Sequence, residues 1–398
     1  MHIVWVNDHA DFTGGCETYI YQTVSMFNEM GVQSTLLYDI NAPISPDFTD
    51  IFCGCFPMVD INIQTEELQA DLIFIHAIED INNLKLFTKL ATPTIRFFHD
   101  QKPFCLREHK YTTIGHETCN QKLGMKCYSC LGFINKSENL FGFKFKSLEE
   151  KQAALEVNQQ LDQFVVGSEY MVKQLIQHGF PVEKITKATL FSPKDTKKTP
   201  VQVLKFAPSE IVEQAATIDH QILFVGQLVR GKGLDTLLDA MTNVSPEISL
   251  VICGKGSMEQ DYKVQAKQNG LNSRVHFMGQ LPAEQISHYY RTSAAVVIPA
   301  RAPETFCLVG LEALKSGVPV IATNVGGMGE WLKPNINSLS FEVNNPKQLA
   351  LRINALVHSK DLQTELRHNI AHDNYDKFSP DQHIESLSNL FTYMVEAS

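Results

Sequence analysis

Two glutamates, Glu304 and Glu312, are separated by seven residues within the run PETFCLVGLEA. A carboxylate accepts hydrogen bonds from two vicinal hydroxyls, so this pair suits recognition of a sugar and of a ribose. The plainer reading is a charge at a helix N-terminus and a solvated helix residue. Lys232 lies in QLVRGKGL, a glycine-flanked loop between a strand and a helix. A lysine there can neutralise a diphosphate, or can simply be solvated. His76 and His99 each close an apolar run, ADLIFIH and TIRFFH. At strand ends, both rings would reach the carboxyl edge of a parallel sheet, where open α/β sheets bind ligands. The alternative is a pair of hydrogen-bonded structural histidines. Finally, Cys105, Cys119, Cys127 and Cys130 are spaced by 13, 7 and 2 residues, with His109 and His116 among them. Four thiolates could hold a tetrahedral structural zinc, and such a set leaves no open position for catalysis. Unligated cysteines, disulfides formed after purification and an iron–sulfur cluster are the other readings.

The elements that must position these residues follow from apolar runs and glycine stops. Ala294-Ala295-Val296-Val297-Ile298 reads as a buried parallel strand, followed by a loop carrying Glu304 and a Leu/Ala-rich helix carrying Glu312. Gly317-Val318-Pro319 stops that helix, Val320-Ile321-Ala322-Thr323 is the next strand, and Gly326-Gly327 the loop after it. The free N–H groups at the helix start favour a phosphate. The N-terminal region repeats the arrangement. Ile3-Val4-Trp5-Val6 leads through a polar loop to Gly14-Gly15, and a helix containing Glu17 runs on to Gly31. Further strands are expected at 36–38, 70–76, 94–98, 164–168, 221–226, 250–254, 275–279 and 338–341. Helices are expected at 147–161, 171–178, 283–290, 348–357 and 381–394, and the stretch 39–69 reads as irregular.

Glu304-x7-Glu312, set within PETFCLVGLEA…GVPVIA…GG, resembles the signature of the retaining family-4 glycosyltransferases, the group 1 type. The resemblance is most specific over 222–332. It implies a GT-B fold, two Rossmann-like doubly wound domains facing a cleft, with a C-terminal helix crossing back to the first. It also implies that Glu304 contacts the donor sugar and Glu312 the nucleotide ribose. The amides of Phe306, Cys307 and Leu308, with Val309 beside them, would hold sugar hydroxyls and phosphate. Cys307 stands where that family has glycine, which would tighten the sugar pocket. Gly14 and Gly15 match a GG-x-E loop facing the donor diphosphate and the acceptor, and His99 matches a histidine that contacts donor sugar or acceptor. Gly226, Gln227, Arg230 and Lys232 align with G-R-L-x-x-x-K-G, whose arginine and lysine grip the phosphates. Gln227 replaces that arginine, and Arg230 is the candidate substitute. Gly254 matches a G-x-G loop near the nucleotide. The implied catalytic set is Glu304, His99 and Lys232, the implied donor a UDP- or GDP-sugar, with no catalytic metal. Some members of that family also carry cysteines after the histidine loop.

The expected domains are an acceptor-binding domain at 1–192 with a Cys-rich insert at about 101–135, a nucleotide-sugar domain at 193–378, and a helix at 379–398 packing on the first. The linker is expected at 191–201. The formal charge of −10 argues against a general nucleic-acid binder. Hydrophobic content of 44% with 20% charged residues fits a soluble globular chain. No signal peptide or membrane-length apolar run is read, so a cytoplasmic protein is expected, with peripheral contact at the inner membrane face as an option. The aromatic and lysine-rich stretch 139–146 could touch a membrane or a lipid-linked acceptor, or pack on its own domain. The expected function is sugar transfer to a glycan or lipid-linked acceptor hydroxyl with retention, in bacterial polysaccharide, lipopolysaccharide or glycan biosynthesis. The alternatives are a nucleotide-sugar epimerase on the same fold and a non-catalytic binding or scaffold protein.

Overall fold

In the computed structural model, residues 1–112, 115, 117–136, 143–192 and 220–397 are described. His116, part of the stretch 139–146 and nearly all of the expected linker lie outside them. The chain divides into two units, one of residues 1–108, 121–191 and 377–398, the other of residues 109–120 and 192–376.

The first unit is built on a parallel sheet of β1 (His2–Asn7), β2 (Gln33–Tyr38), β3 (Gly54–Pro57), β4 (Leu72–Ala77), β5 (Thr94–Phe98), β8 (Gln163–Val166) and β9 (Ile185–Lys187), in the order β3-β2-β1-β4-β5-β8-β9. Its central strands are buried along nearly all their length, because helices cover both faces of a parallel sheet. Ile3, Val4, Trp5 and Val6 on β1 are all fully buried. A short antiparallel pair, β6 (Ile134–Lys136) with β7 (Phe143–Phe145), lies apart from that sheet. The helix Gly15–Glu29 packs Ile20, Val24 and Phe27 into one core layer and ends at Gly31, whose φ of 77° closes the last turn. The helix Pro380–Glu396 starts with Pro380 and is capped by Ser379, which accepts from the Gln382 N–H. It buries Ile384, Leu387 and Phe391 in the same layer, with Phe391 stacked on Phe27 at 5.4 Å between ring centroids. The last helix therefore belongs to the first unit.

The second unit carries a parallel sheet of β10 (Gln221–Val225), β11 (Ser249–Cys253), β12 (Val275–Gly279), β13 (Ala295–Ile298), β14 (Val320–Ala322) and β15 (Ser338–Ser340), in the order β12-β11-β10-β13-β14-β15. The chain winds outward from β10 to β12, then returns to place β13 on the other side of β10. β10 and β13 thus flank the point where the winding reverses, and β1 and β4 flank the same point in the first sheet. Ligands bind such sheets at this reversal, outside the carboxyl ends of the strands.

Residues 109–120, from the middle of the cysteine-rich insert, belong to the second unit. Tyr111 and Thr118 bridge each other, Thr118 Oγ1 donates to the Arg301 carbonyl at 3.0 Å, and the Tyr111 ring lies against Gly231. The region 39–69 is more ordered than its composition suggests, with two short helices, Pro46–Thr49 and Ile61–Glu67, around β3. β3 is an edge strand ending in Pro57, where proline costs no ladder bond. Among the described residues, no helix is long and apolar enough to cross a membrane.

Candidate active site

The reversal point of the second sheet gathers the predicted charged residues. After β10 the chain makes one 3₁₀ turn, Arg230–Lys232, and Gly233 with φ 72° starts the helix Leu234–Met241. A Cβ on Gly233 would stand 1.9 Å from the Pro299 carbonyl oxygen, so only glycine lets the two loops approach this closely. The approach brings Lys232 Nζ within 2.7 Å of Glu304 Oε1, across the loops that follow β10 and β13. Burial is the largest influence and opposes the lysine's charge, but Glu304 and Cys307 together raise the Lys232 pKa above its ordinary value. Glu304 is itself held by its backbone, which bridges to Gly326 and accepts from the Gly327 N–H.

The helix Leu308–Lys315 begins immediately beyond. Its N-cap is Cys307, in the left-handed region at φ 66° and ψ 72°. A non-glycine residue there is strained. Burial pushes the Cys307 thiol up to about 12, so it stays protonated near neutral pH. Leu308 and Val309 open the helix, and N–H groups of a first turn have no intrahelical carbonyl to bond. Phe306 is 1% exposed and its carbonyl accepts from Trp331 Nε1 at 2.8 Å. The Trp331 ring also lies where a Cβ on Gly310 would be, at 2.0 Å, so the helix start is pinned against that indole.

Glu312 sits on the same helix and accepts from Tyr290 Oη at 3.0 Å. Burial raises its carboxyl above the ordinary value, while the Tyr290 hydrogen bond acts the other way. Gly226 and Gly254 end β10 and β11 backbone to backbone, since a Cβ on Gly254 would meet the Gly226 carbonyl oxygen at 1.9 Å. Gln227 and Arg230 are exposed on the same loop.

In the first unit, the carboxyl ends of β4 and β5, beside the reversal point, bring the two histidines together. His76 Nδ1 lies 2.8 Å from His99 Nε2, and the two rings stack at 5.1 Å. Burial pushes His99 down to about 3 and His76 well below its ordinary value, so both imidazoles are neutral. Gly14 is the extended N-cap of the helix Gly15–Glu29, and its carbonyl accepts from the Thr18 N–H. Glu17 is 3% exposed and bonds Asn7 Nδ2 at 3.2 Å, so its role is wider than a helix-end charge.

The cysteine segment is different. Cys105, Cys127 and Cys130 belong to the first unit and Cys119 to the second. Cys127 and Cys130 flank one turn of helix, with Cys130 Sγ 3.4 Å from the Cys127 carbonyl. Among the described residues, the only three side chains with metal-ligand atoms mutually within 4.8 Å are Cys16, His76 and His99. Among the described residues, the four cysteines do not form such a group.

Several residues had no sequence signal. Tyr290 is the second of two adjacent tyrosines in the last turn of the helix Ala283–Arg291, and Trp331 follows a 3₁₀ turn. Tyr19 Oη meets His383 Nε2 at 2.8 Å, a pairing 364 residues apart that no local pattern reveals. Arg96 is 6% exposed on β5 between the buried faces of Ile95 and Phe97. Burial lowers it to about 10, with Asp8, raised to about 6 by its own burial, among its charged neighbours.

Residues 210–375 match the model of the family described as glycosyl transferases group 1. An uncharacterized glycosyltransferase of Methanocaldococcus jannaschii is 29% identical over 180 residues, 45% of this chain and 46% of that protein. A D-inositol 3-phosphate glycosyltransferase of Corynebacterium kroppenstedtii is 28% identical over 180 residues, covering 43% of this chain and 40% of that protein. The chain thus spans less than half the length of these curated relatives. The crystal structure of Anabaena HepE in complex with UDP superposes with a TM-score of 0.71 over 99% of this chain and 100% of that one, at 17% identity. Residues 210–375 are thus similar to the glycosyl transferases group 1, and the chain has the two-domain Rossmann-like fold of the GT-B glycosyltransferases.

Proposed function

We propose that the protein transfers a sugar from a nucleoside-diphosphate sugar to an acceptor hydroxyl with retention of anomeric configuration. The observation that carries this reading is the Lys232–Glu304 pair at 2.7 Å, at the reversal point of the second sheet and beside the start of the helix Leu308–Lys315. A cation and a helix N-terminus together stabilise the diphosphate that leaves as the glycosidic bond breaks. Glu304 then has a hydroxyl-bearing ligand within reach, and Glu312, oriented by Tyr290, offers its carboxylate to the ribose. Arg230 supplies the second cation in place of Gln227. The neutral His76–His99 pair of the first unit suits a sugar or acceptor hydroxyl better than a phosphate, since a neutral imidazole both donates and accepts. The acceptor is read as a glycan or a lipid-linked saccharide, in the assembly of a surface polysaccharide, and the protein as one working at or near the cytoplasmic face. HepE is known in complex with UDP, so UDP-sugars come first in a donor panel.

The test incubates the protein with UDP-, GDP-, ADP- and dTDP-sugars and a panel of saccharide acceptors, and follows the product by NMR. Transfer with the donor's anomeric configuration preserved is the expected result. Conversion of the donor sugar without acceptor would identify an epimerase, and nucleotide binding without turnover a scaffold.

A further inference from the structure

We propose that Cys16, His76 and His99 form a binding site for a thiophilic divalent ion, zinc in the first instance. The three side chains come from separate elements at the reversal point of the first sheet. Cys16 lies in the first turn of the helix Gly15–Glu29, His76 on β4, and His99 just beyond β5. Their sulfur and one nitrogen from each ring lie within 4.8 Å of one another. Zinc bonds of about 2.3 Å to sulfur and about 2.0 Å to nitrogen place tetrahedral ligand atoms roughly 3–4 Å apart. His76 Nδ1 and His99 Nε2, 2.8 Å apart, share a hydrogen bond that ligation through those nitrogens would replace.

The surroundings make this a built site rather than a chance meeting. His76 is 3% exposed, and its Nε2 has no hydrogen-bond partner, which is unfavourable for a buried nitrogen. Both rings are fixed by stacking, His76 on Trp5 at 5.3 Å and His99 on Phe97 at 4.1 Å between centroids. Cys16 Sγ donates to Asn7 Oδ1 at 3.8 Å, a contact that ends when the thiol ionises, while Asn7 Nδ2 donates to Glu17 and to the His9 carbonyl. One thiolate and two imidazoles favour zinc and similar ions over magnesium or calcium, which need oxygen ligands. Cys16 gives up its thiol proton to solvent on ligation, and the fourth position is left to water or a substrate oxygen.

The test uses the full-length protein, stripped with chelator, kept reduced, and titrated with Co²⁺ as a spectroscopic substitute for Zn²⁺. One equivalent should bind with a sulfur-to-cobalt charge-transfer band that Zn²⁺ displaces. The band should vanish in Cys16→Ser, weaken at least tenfold in affinity in His76→Gln, and persist in the double variant Cys127→Ser, Cys130→Ser. In parallel, Zn²⁺ should slow alkylation of Cys16 in the wild type, read by peptide mass spectrometry, which needs no variant to fold. The proposal is overturned if no such band forms, if the band survives Cys16→Ser, or if Zn²⁺ leaves the alkylation rate of Cys16 unchanged.

Discussion

The two units wind their sheets in the same way, yet the reversal points are filled with opposite chemistry. In the second unit the loops after β10 and β13 meet as an ion pair, Lys232 with Glu304, and a helix N-terminus follows at once. In the first unit the ends of β4 and β5 meet as a neutral pair, His76 with His99, and a third buried histidine, His383, is bonded to Tyr19 nearby. Burial pushes His383 down to about 4. The shared winding fixes where a ligand can bind, and the side chains at the reversal decide which ligand. A charged reversal point suits a diphosphate, and a neutral aromatic one suits hydroxyls or, as proposed, a soft metal ion.

The largest way to break this contrast is Lys232→Ala. Removing the cation that faces the leaving diphosphate should lower kcat by about 10²–10³-fold. Transfer kinetics check this, and a loss under tenfold would separate Lys232 from the chemistry. The contrast should also appear in acid. A histidine whose folded pKa is depressed contributes stability that is full above its unfolded value near 6.5 and is lost as pH falls toward the folded value. For His99 and His383 that window runs from pH 6.5 down to about 3 and about 4. Going from pH 7 to pH 5 should therefore cost the first unit on the order of 2 kcal/mol per histidine that stays neutral. Hydrogen exchange at the two pH values, corrected for intrinsic rates, should show protection falling more in β4 and β5 than in β10 and β13. Tyr290→Phe removes one hydrogen bond to Glu312 and should weaken nucleotide binding about fivefold, from a loss of about 1 kcal/mol, measured by calorimetry. Gln227→Arg is the smallest change. It adds an exposed cation to the phosphate loop and should tighten nucleoside-diphosphate binding by roughly two- to fivefold at low salt, the gain fading as salt is added.

Much of the second unit was legible because its signals are local. An apolar strand, a loop glutamate, a Leu/Ala helix and a Gly-Val-Pro stop lie within thirty residues in sequence order, and the structure keeps them together from β13 to β14. The strand-end histidines were legible for the same reason, though their direct contact was not. What failed to read falls into two kinds. The helices Ile81–Phe87, Glu259–Gln268 and Lys360–Ala371 bury few residues and so show little apolar periodicity. Tyr290 with Glu312, Trp331 with Phe306, Cys16 with the histidines, and Tyr19 with His383 are long-range pairs that only the fold creates. Of the four cysteines that spacing groups as a zinc set, Cys127 and Cys130 flank one turn of helix and Cys119 goes with the other unit. Spacing reports what could converge, and the path of the backbone decides whether it does.

The most direct test of the account is nucleoside-diphosphate binding by calorimetry in the wild type, Glu312→Ala and His99→Ala, beginning with UDP and GDP. The account predicts that one of these binds the wild type, that Glu312→Ala weakens it at least tenfold, and that His99→Ala leaves it within twofold. Loss of binding in His99→Ala with none in Glu312→Ala would contradict the assignment of the nucleotide to the second unit, and so would the absence of binding to the wild type by any nucleoside diphosphate.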